Sequence, residues 1–152
     1  MNIYGICLTE LKIDYTKVDT FLRSLIDTPA RDIIKQYIEL MEDRGWEEPN
    51  TDPDKATAYA SEVDDCLEFY ESGGDPGLCA ILKDIIRTNE GIDVDCYDPN
   101  WSRNDHLGIS AKRPWEFNEK TRNLSKEEFD EILTKYVRPF TSDELKIGVH
   151  CE

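Results

Sequence analysis

Residues 52–91 read DPDKATAYASEVDDCLEFYESGGDPGLCAILKDIIRTNEG, and the punctuation of this stretch decides the fold. Asp52-Pro53 and Asp75-Pro76 each set a capping side chain directly before a proline. That pairing opens helices, because proline has no N–H to lose at the first helical position and its φ is already helical. After the first pair, Ala56, Ala60, Val63, Leu67 and Tyr70 recur at helical spacing until Gly73-Gly74. After the second, Leu78, Ile81, Leu82, Ile85 and Ile86 do the same until Asn89 to Gly91 interrupts. Beyond Gly91 the apolar period drops to two, with Ile92, Val94 and Cys96 alternating with Asp93, Asp95 and Tyr97. The stretch therefore predicts two helices followed by a half-buried strand.

Upstream, Val18, Phe21, Leu22, Leu25 and Ile26 predict a helix behind Thr16 as N-cap, with Asp19 at N3. Thr28-Pro29 opens a second helix carrying Ile33, Ile34, Tyr37, Ile38 and Met41, which stops at Arg44-Gly45. Asn2 to Leu11 is rich in β-formers and apolar on both faces, as a covered strand would be. Downstream, Leu107, Ile109 and Ala111 alternate with polar neighbours and return the hairpin begun at Ile92. Ser125 and Glu128 form a capping box for a helix bearing Phe129, Ile132, Leu133, Tyr136 and Val137, which ends near Pro139. Glu144 to Cys151 alternates as a final strand.

The expected fold is α+β, one domain over residues 1–152 in the order β-αααα-ββ-α-β. Residues 16–89 form an acidic helical region, and residues 91–152 supply the β-hairpin, a helix and the final strand. A roughly four-stranded, largely antiparallel sheet carries the helices packed on it, with the N- and C-terminal strands adjacent. The cap–proline pairs at 28, 52, 75 and 98 are evenly spaced, but the segments between them share no side-chain pattern, so they are not a repeat.

Charge narrows the function. Among 152 residues there are 33 acidic and 18 basic ones, a net charge of −15, which repels nucleic acids and anionic lipid surfaces. Direct nucleic-acid or membrane binding is thus disfavoured, and a basic protein partner is expected. The five cysteines are odd in number and hold no C-x-x-C pair, as expected of free thiols in a reducing cytoplasm. The N-terminal residues lack the basic start and apolar core of a signal peptide, and no apolar run approaches a membrane span.

The charge is also concentrated. Between residues 39 and 75 stand thirteen acidic and two basic residues. Glu42 with Asp43, Glu47 with Glu48, and Asp64 with Asp65, Glu68 and Glu71 form an anionic series, with Asp64, Glu68 and Glu71 at i, i+4, i+7 on one helix stripe. Like charges at that spacing oppose the helix by a few tenths of a kcal/mol per pair. The bland reading is a solvated face. The sharper one is a partner-binding surface whose carboxylates are spaced like backbone phosphates, able to fill the Lys/Arg channel of a nuclease.

The hairpin offers a second candidate. Asp93-x-Asp95 starts like a calcium loop, but Tyr97 follows and neither the glycine nor the closing glutamate of an EF-hand is present. Asp95, Asp98, Asn100 and Asp105 could make only a looser site, and Asp98-Pro99-Asn100 is also ordinary turn chemistry. Asp93 and Asp95 are expected on the strand's wet face. Cys96 or Cys151 with His106 or His150 is the only nucleophile pairing, and strand alternation points the thiols and imidazoles to opposite faces. Trp101 and Arg103 sit at the predicted hairpin tip, within a segment of net charge +2 that interleaves Trp115 and Phe117. They are read as an interface anchor.

The sequence thus points to a small acidic cytoplasmic binding protein, with no catalytic residues, metal or cofactor. It would neutralise a basic partner such as a nuclease or nucleic-acid-guided effector, in the manner of immunity or anti-defence inhibitors. The alternatives are a metal- or ligand-dependent enzyme or binding domain built on the 93–106 hairpin, and a structural or assembly subunit of a phage or mobile element.

Overall fold

Residues 2–6, 13–72, 75–97, 108–110, 118–142 and 147–151 are described by the structure, a computed structural model; of these, 2–6, 71–72, 75–76, 95–97, 108–110 and 147–151 are described by backbone alone. Among the described residues, six α-helices follow in order: α1 Tyr15–Ser24, α2 Arg31–Asp43, α3 Ala56–Glu68, α4 Gly77–Glu90, α5 Glu119–Arg122 and α6 Lys126–Tyr136.

The expectation of an α+β domain is corrected. Where side chains are described the chain is about 70% helical and no residue lies in a strand, so the protein is helical. Every described core residue comes from a helix or a connection. Among the described residues, paired extended backbone occurs in short antiparallel pieces, 95–97, 108–110, 2–6 and 147–151 side by side and 71–72 beside 75–76, and none adds a described side chain to the core. The misreading has a definite source. Ile92 and Val94 are buried with Asp93 between them, as a strand would have it, yet they belong to the connection leaving α4. A period of two over three residues cannot tell a strand from a connection pressed against helices.

The centre is α4, which packs on α2, α3 and α6 and buries Leu78, Ala80, Ile81, Leu82, Ile85 and Ile86. Side chains of this size contribute roughly 1.5–3 kcal/mol each when fully buried. An alanine at Ile85 would cost about 2–5 kcal/mol by leaving a cavity. Helix α1 presents Val18, Phe21 and Leu22 to the same core, and Phe21 stacks on Phe140 with ring centroids 5.8 Å apart.

Among the described residues, one charged group lies inside. Asp19 is only 1% exposed, and its Oδ1 accepts from the Tyr37 hydroxyl of α2 at 2.6 Å and from Arg23 Nε at 3.0 Å. Its Oδ2 accepts from the Tyr59 hydroxyl of α3, also at 2.6 Å. The carboxylate thus joins three helices, and its burial is tolerable because both oxygens are satisfied and a cation is adjacent. Burial, then the Asp19 charge, pushes the Tyr37 phenol far above its ordinary value, so it remains a donor.

Helix starts also differ in detail from expectation. Asp14 rather than Thr16 caps α1, its Oδ1 accepting from the Thr16 and Lys17 amides. Helix α2 has no cap from its own segment. Asn89, at the end of α4, accepts from the Ala30 amide at 2.9 Å and donates to Thr28 Oγ1 at 3.2 Å. Helix α3 is preceded by a 3₁₀ turn at Pro53–Lys55, which Asp52 caps. The capping box of Ser125 and Glu128 at α6 forms with both of its hydrogen bonds.

Candidate protein-docking surface

The acidic residues of 39–68 gather where α2 ends beside α3. Helix α2 buries Ile34, Tyr37 and Met41, so the 3.6-residue period leaves Gln36, Glu39, Glu42 and Asp43 facing outward. It stops in a Schellman turn, with the Gly45 amide donating to the Glu42 carbonyl at 2.9 Å and the Trp46 amide to the Met41 carbonyl at 3.0 Å. Gly45 takes a φ of +89°, which a side chain would resist. The turn sends Trp46 back onto Tyr59, ring centroids 4.9 Å apart, and leaves Glu47 and Glu48 exposed just beyond.

On α3, Tyr59, Val63, Cys66 and Leu67 face inward, rather than the expected stripe through Ala56 and Ala60; Ala56 is exposed. Asp65 and Glu68 are therefore exposed, while Asp64 is half-buried and engaged by a partner. The Glu68 carboxyl leans toward Gly77, the first residue of α4, where the helix dipole favours an anion. Glu71 is described by backbone alone, so the i, i+4, i+7 stripe of Asp64, Glu68 and Glu71 is seen only in part.

Arg44 ties the two helices together. Its Nη1 lies 2.9 Å from Glu62 Oε2 and 4.0 Å from Asp65 Oδ2, and its guanidinium carbon sits 5.1 Å from the centroid of the Phe69 ring. The bonded Glu62 carboxylate is the main reason the guanidinium is held above its ordinary pKa. Phe69 is 65% exposed, and among the described residues no other large hydrophobic side chain is so open. Beside it a groove of about 390 Å³ is lined by Gln36, Glu39, Leu40 and Asp43 of α2 and by Phe69 and Tyr70.

Of the residues singled out in the sequence, Glu42, Asp43, Glu47, Glu48, Asp65 and Glu68 thus lie on the exposed α2–α3 side, and Asp43 reaches the groove. Trp101 and Arg103 lie outside the described residues, as do Asp98, Asn100, Asp105 and His106; Asp95, Cys96, His150 and Cys151 are described by backbone only. Asp93 is half-buried rather than on a wet strand face. Its carboxylate receives Arg87 Nε at 2.8 Å, and its amide donates to Thr121 Oγ1 at 2.8 Å, fixing the exit of α4 to α5. Among the described residues, no group of three or more His, Cys, Asp or Glu side chains could hold a metal ion. Nor, among them, is any helix long and apolar enough to cross a membrane.

Sequence reasoning placed Glu39 in the acidic stretch without singling it out, and missed Phe69 and Arg44 as parts of this surface. A signal existed for Phe69. Counted from Leu67 at about 100° per residue, it falls outside the expected apolar stripe of Ala60, Val63 and Leu67, an aromatic where that pattern calls for a polar residue.

No protein-family model matches the chain, and neither a curated protein nor a solved structure matches it.

Proposed function

We propose that this is an acidic binding protein that docks a basic partner through the α2–α3 surface and neutralises it. The partner class that suits a dense anionic face is an enzyme or effector whose own ligand is nucleic acid, such as a nuclease. Glu42, Asp43, Glu47, Glu48, Asp65 and Glu68 would occupy the cationic channel and exclude the natural polyanion. The protein works in the cytoplasm, a reading supported by the unpaired thiols of Cys66 and Cys79.

One observation carries this reading: the charges sit where they oppose folding. Helix α1 ends with Arg23 in its last turn, α4 with Arg87 and α6 with Lys135, each a cation at the negative pole of its dipole. Helices α2 and α3 have no basic residue in their last turns. Helix α2 carries Glu42 with Asp43 there instead, while Arg44, just beyond, is turned to Glu62 and Asp65 of α3. Carboxylates there cost about 0.3–1 kcal/mol each. A surface tuned only for solubility has cheaper places for them, so the arrangement fits selection for binding.

The test is capture by the immobilised protein at low and high salt, read by mass spectrometry, with a variant carrying Glu42→Lys, Glu47→Lys, Glu48→Lys and Asp65→Lys as comparison. Basic proteins should be retained by the native chain, released by salt and lost from the variant. The purified captive should lose nucleic-acid binding or cleavage when the native chain is added. Capture insensitive to both salt and charge reversal would sink the proposal.

A further inference from the structure

We infer that the groove between α2 and the end of α3 seats an arginine side chain from a partner protein. This inference rests on the docking role of the same surface and specifies which side chain the partner contributes.

The walls set the chemistry. Gln36, Glu39, Leu40 and Asp43 follow i, i+3, i+4, i+7 along α2, so they form one continuous wall, with Phe69 and Tyr70 opposite. The volume of about 390 Å³ lies near the lower end of ligand clefts, which run roughly from 300 to 1,000 Å³. It suits one long side chain with its flanking backbone. Glu39 and Asp43 stand one helical turn apart, about 5–6 Å between Cβ atoms. Neither carboxylate has an ion-pair or hydrogen-bond partner among the described residues. Unneutralised carboxylates at that separation can grip a guanidinium from two edges, since its donors fan out in a plane.

Phe69 supplies the second element. It projects 65% exposed into a neighbourhood that already stacks a guanidinium, that of Arg44, against its ring. The molecule thus displays with its own residue the contact it would offer a partner. An incoming arginine can lay its stem on Leu40 and Phe69 while its head meets Glu39 and Asp43. A lysine has no plane to lay against the ring and only a point charge to share between two carboxylates. An anionic ligand meets two carboxylates and is repelled.

The experiment is a nuclear magnetic resonance titration of the ¹⁵N-labelled protein with N-acetyl-arginine amide, N-acetyl-lysine amide and the neutral isostere N-acetyl-citrulline amide. The arginine compound should shift amides within 36–43 and 69–70 with a dissociation constant on the order of millimolar, as befits one side chain. Citrulline should bind far more weakly, and lysine about five-fold more weakly. Phe69→Ala, and Glu39→Gln with Asp43→Asn, should each weaken arginine binding about five-fold or more. Glu127→Gln, exposed on α6 and outside the docking surface, should leave it unchanged.

Equal response to arginine and lysine or to arginine and citrulline, shifts spread evenly over the acidic surface, or indifference to Phe69→Ala would overturn the inference. Its failure is separable from failure of the docking role. If reversal at Glu42, Glu47, Glu48 and Asp65 abolishes capture of a basic protein while arginine ignores the groove, the docking role stands without this seat. If arginine fills the groove while capture survives the reversals, the seat stands alone.

Discussion

The Tyr59 hydroxyl of α3 donates to Oδ2 of Asp19 on α1 at 2.6 Å, across 40 residues of sequence, and closes a buried network that Tyr37 and Arg23 share. Removing one partner of such a network costs more than the network contributes, because the others are left buried and unsatisfied. Asp19→Ala should destabilise the protein by roughly 3–5 kcal/mol, since it strands the half-buried Arg23 charge and two phenols. Tyr59→Phe should cost about 1–2 kcal/mol. Urea unfolding followed by far-ultraviolet circular dichroism measures both. A loss below about 1 kcal/mol for Asp19→Ala would show that the network contributes little.

Asn89 performs a capping task for a helix nearly sixty residues away. It accepts from the Ala30 amide and donates to Thr28 Oγ1, so α2 begins properly only when α4 has docked. Asn89→Ala should therefore cost about 0.5–2 kcal/mol, the range for a lost N-cap. Asn89→Asp keeps the acceptor and should recover most of that. Equal losses for the two would exclude the cap as the cause.

These two cases also show what a sequence displays and what it hides. The α2, α3, α4 and α6 helices were visible because Ile34, Val63, Ile81 and Ile132 repeat at the helical period, and because Ser125 and Glu128 complete a local signal. The inward role of Asp19 was invisible. Its neighbours in sequence make it an ordinary first-turn acid, and only the hydroxyls of Tyr37 and Tyr59 explain its burial. The Asn89 cap is hidden for the same reason. Helix α5 has four residues, too few to show a period, and depends on Asn118, whose side chain accepts from the Thr121 amide. The sheet was over-read from alternations such as Ile92 to Val94, which tertiary packing on helices produces equally well. At the docking surface the charge density was legible, but not that Arg44 draws Glu62 and Asp65 together or that Phe69 is left open.

Gly45 is needed for its backbone and not for space. Its φ is +89°, and nothing stands within 4 Å of where a Cβ would project. Gly45→Ala should cost about 1–2 kcal/mol from the left-handed conformation alone. Gly45→Asn should cost clearly less, because asparagine tolerates that region. The Trp46–Tyr59 contact provides a fluorescence readout of whether the turn survives. An alanine variant as stable as the native protein would show that the turn opens without penalty.

Stability should fall in two steps as pH rises into the alkaline range. Burial pushes the Cys66 thiol from its ordinary 9.0 to about 11, and burial together with the Asp19 hydrogen bond pushes the Tyr59 phenol from 10.0 to about 12. In each case the folded state holds its proton after the unfolded state has released it. The associated stability is complete below the unfolded value and is lost as pH rises through the folded one. Stability should decline from pH 9 for the thiol and more steeply from pH 10 once the phenol joins. Cys66→Ala should move the onset of decline up toward pH 10. Urea midpoints from pH 8 to 11 decide this, and an unchanged onset in the variant would remove Cys66 from the account.

The last prediction separates binding from stability on the same residues. Glu42 and Asp43 stand in the final turn of α2, which holds no cation of its own, so the helix dipole opposes them. Glu42→Gln and Asp43→Asn should each raise stability by about 0.3–1 kcal/mol at low salt, with the gain shrinking as ionic strength screens the interaction. The same substitutions should weaken capture of a basic partner. A residue kept only for solubility would show the stability gain without the binding loss. A residue kept for the fold would show a stability loss. Measuring urea midpoints and partner retention on the same two variants therefore distinguishes a charged surface retained at the expense of stability from one that is merely solvated.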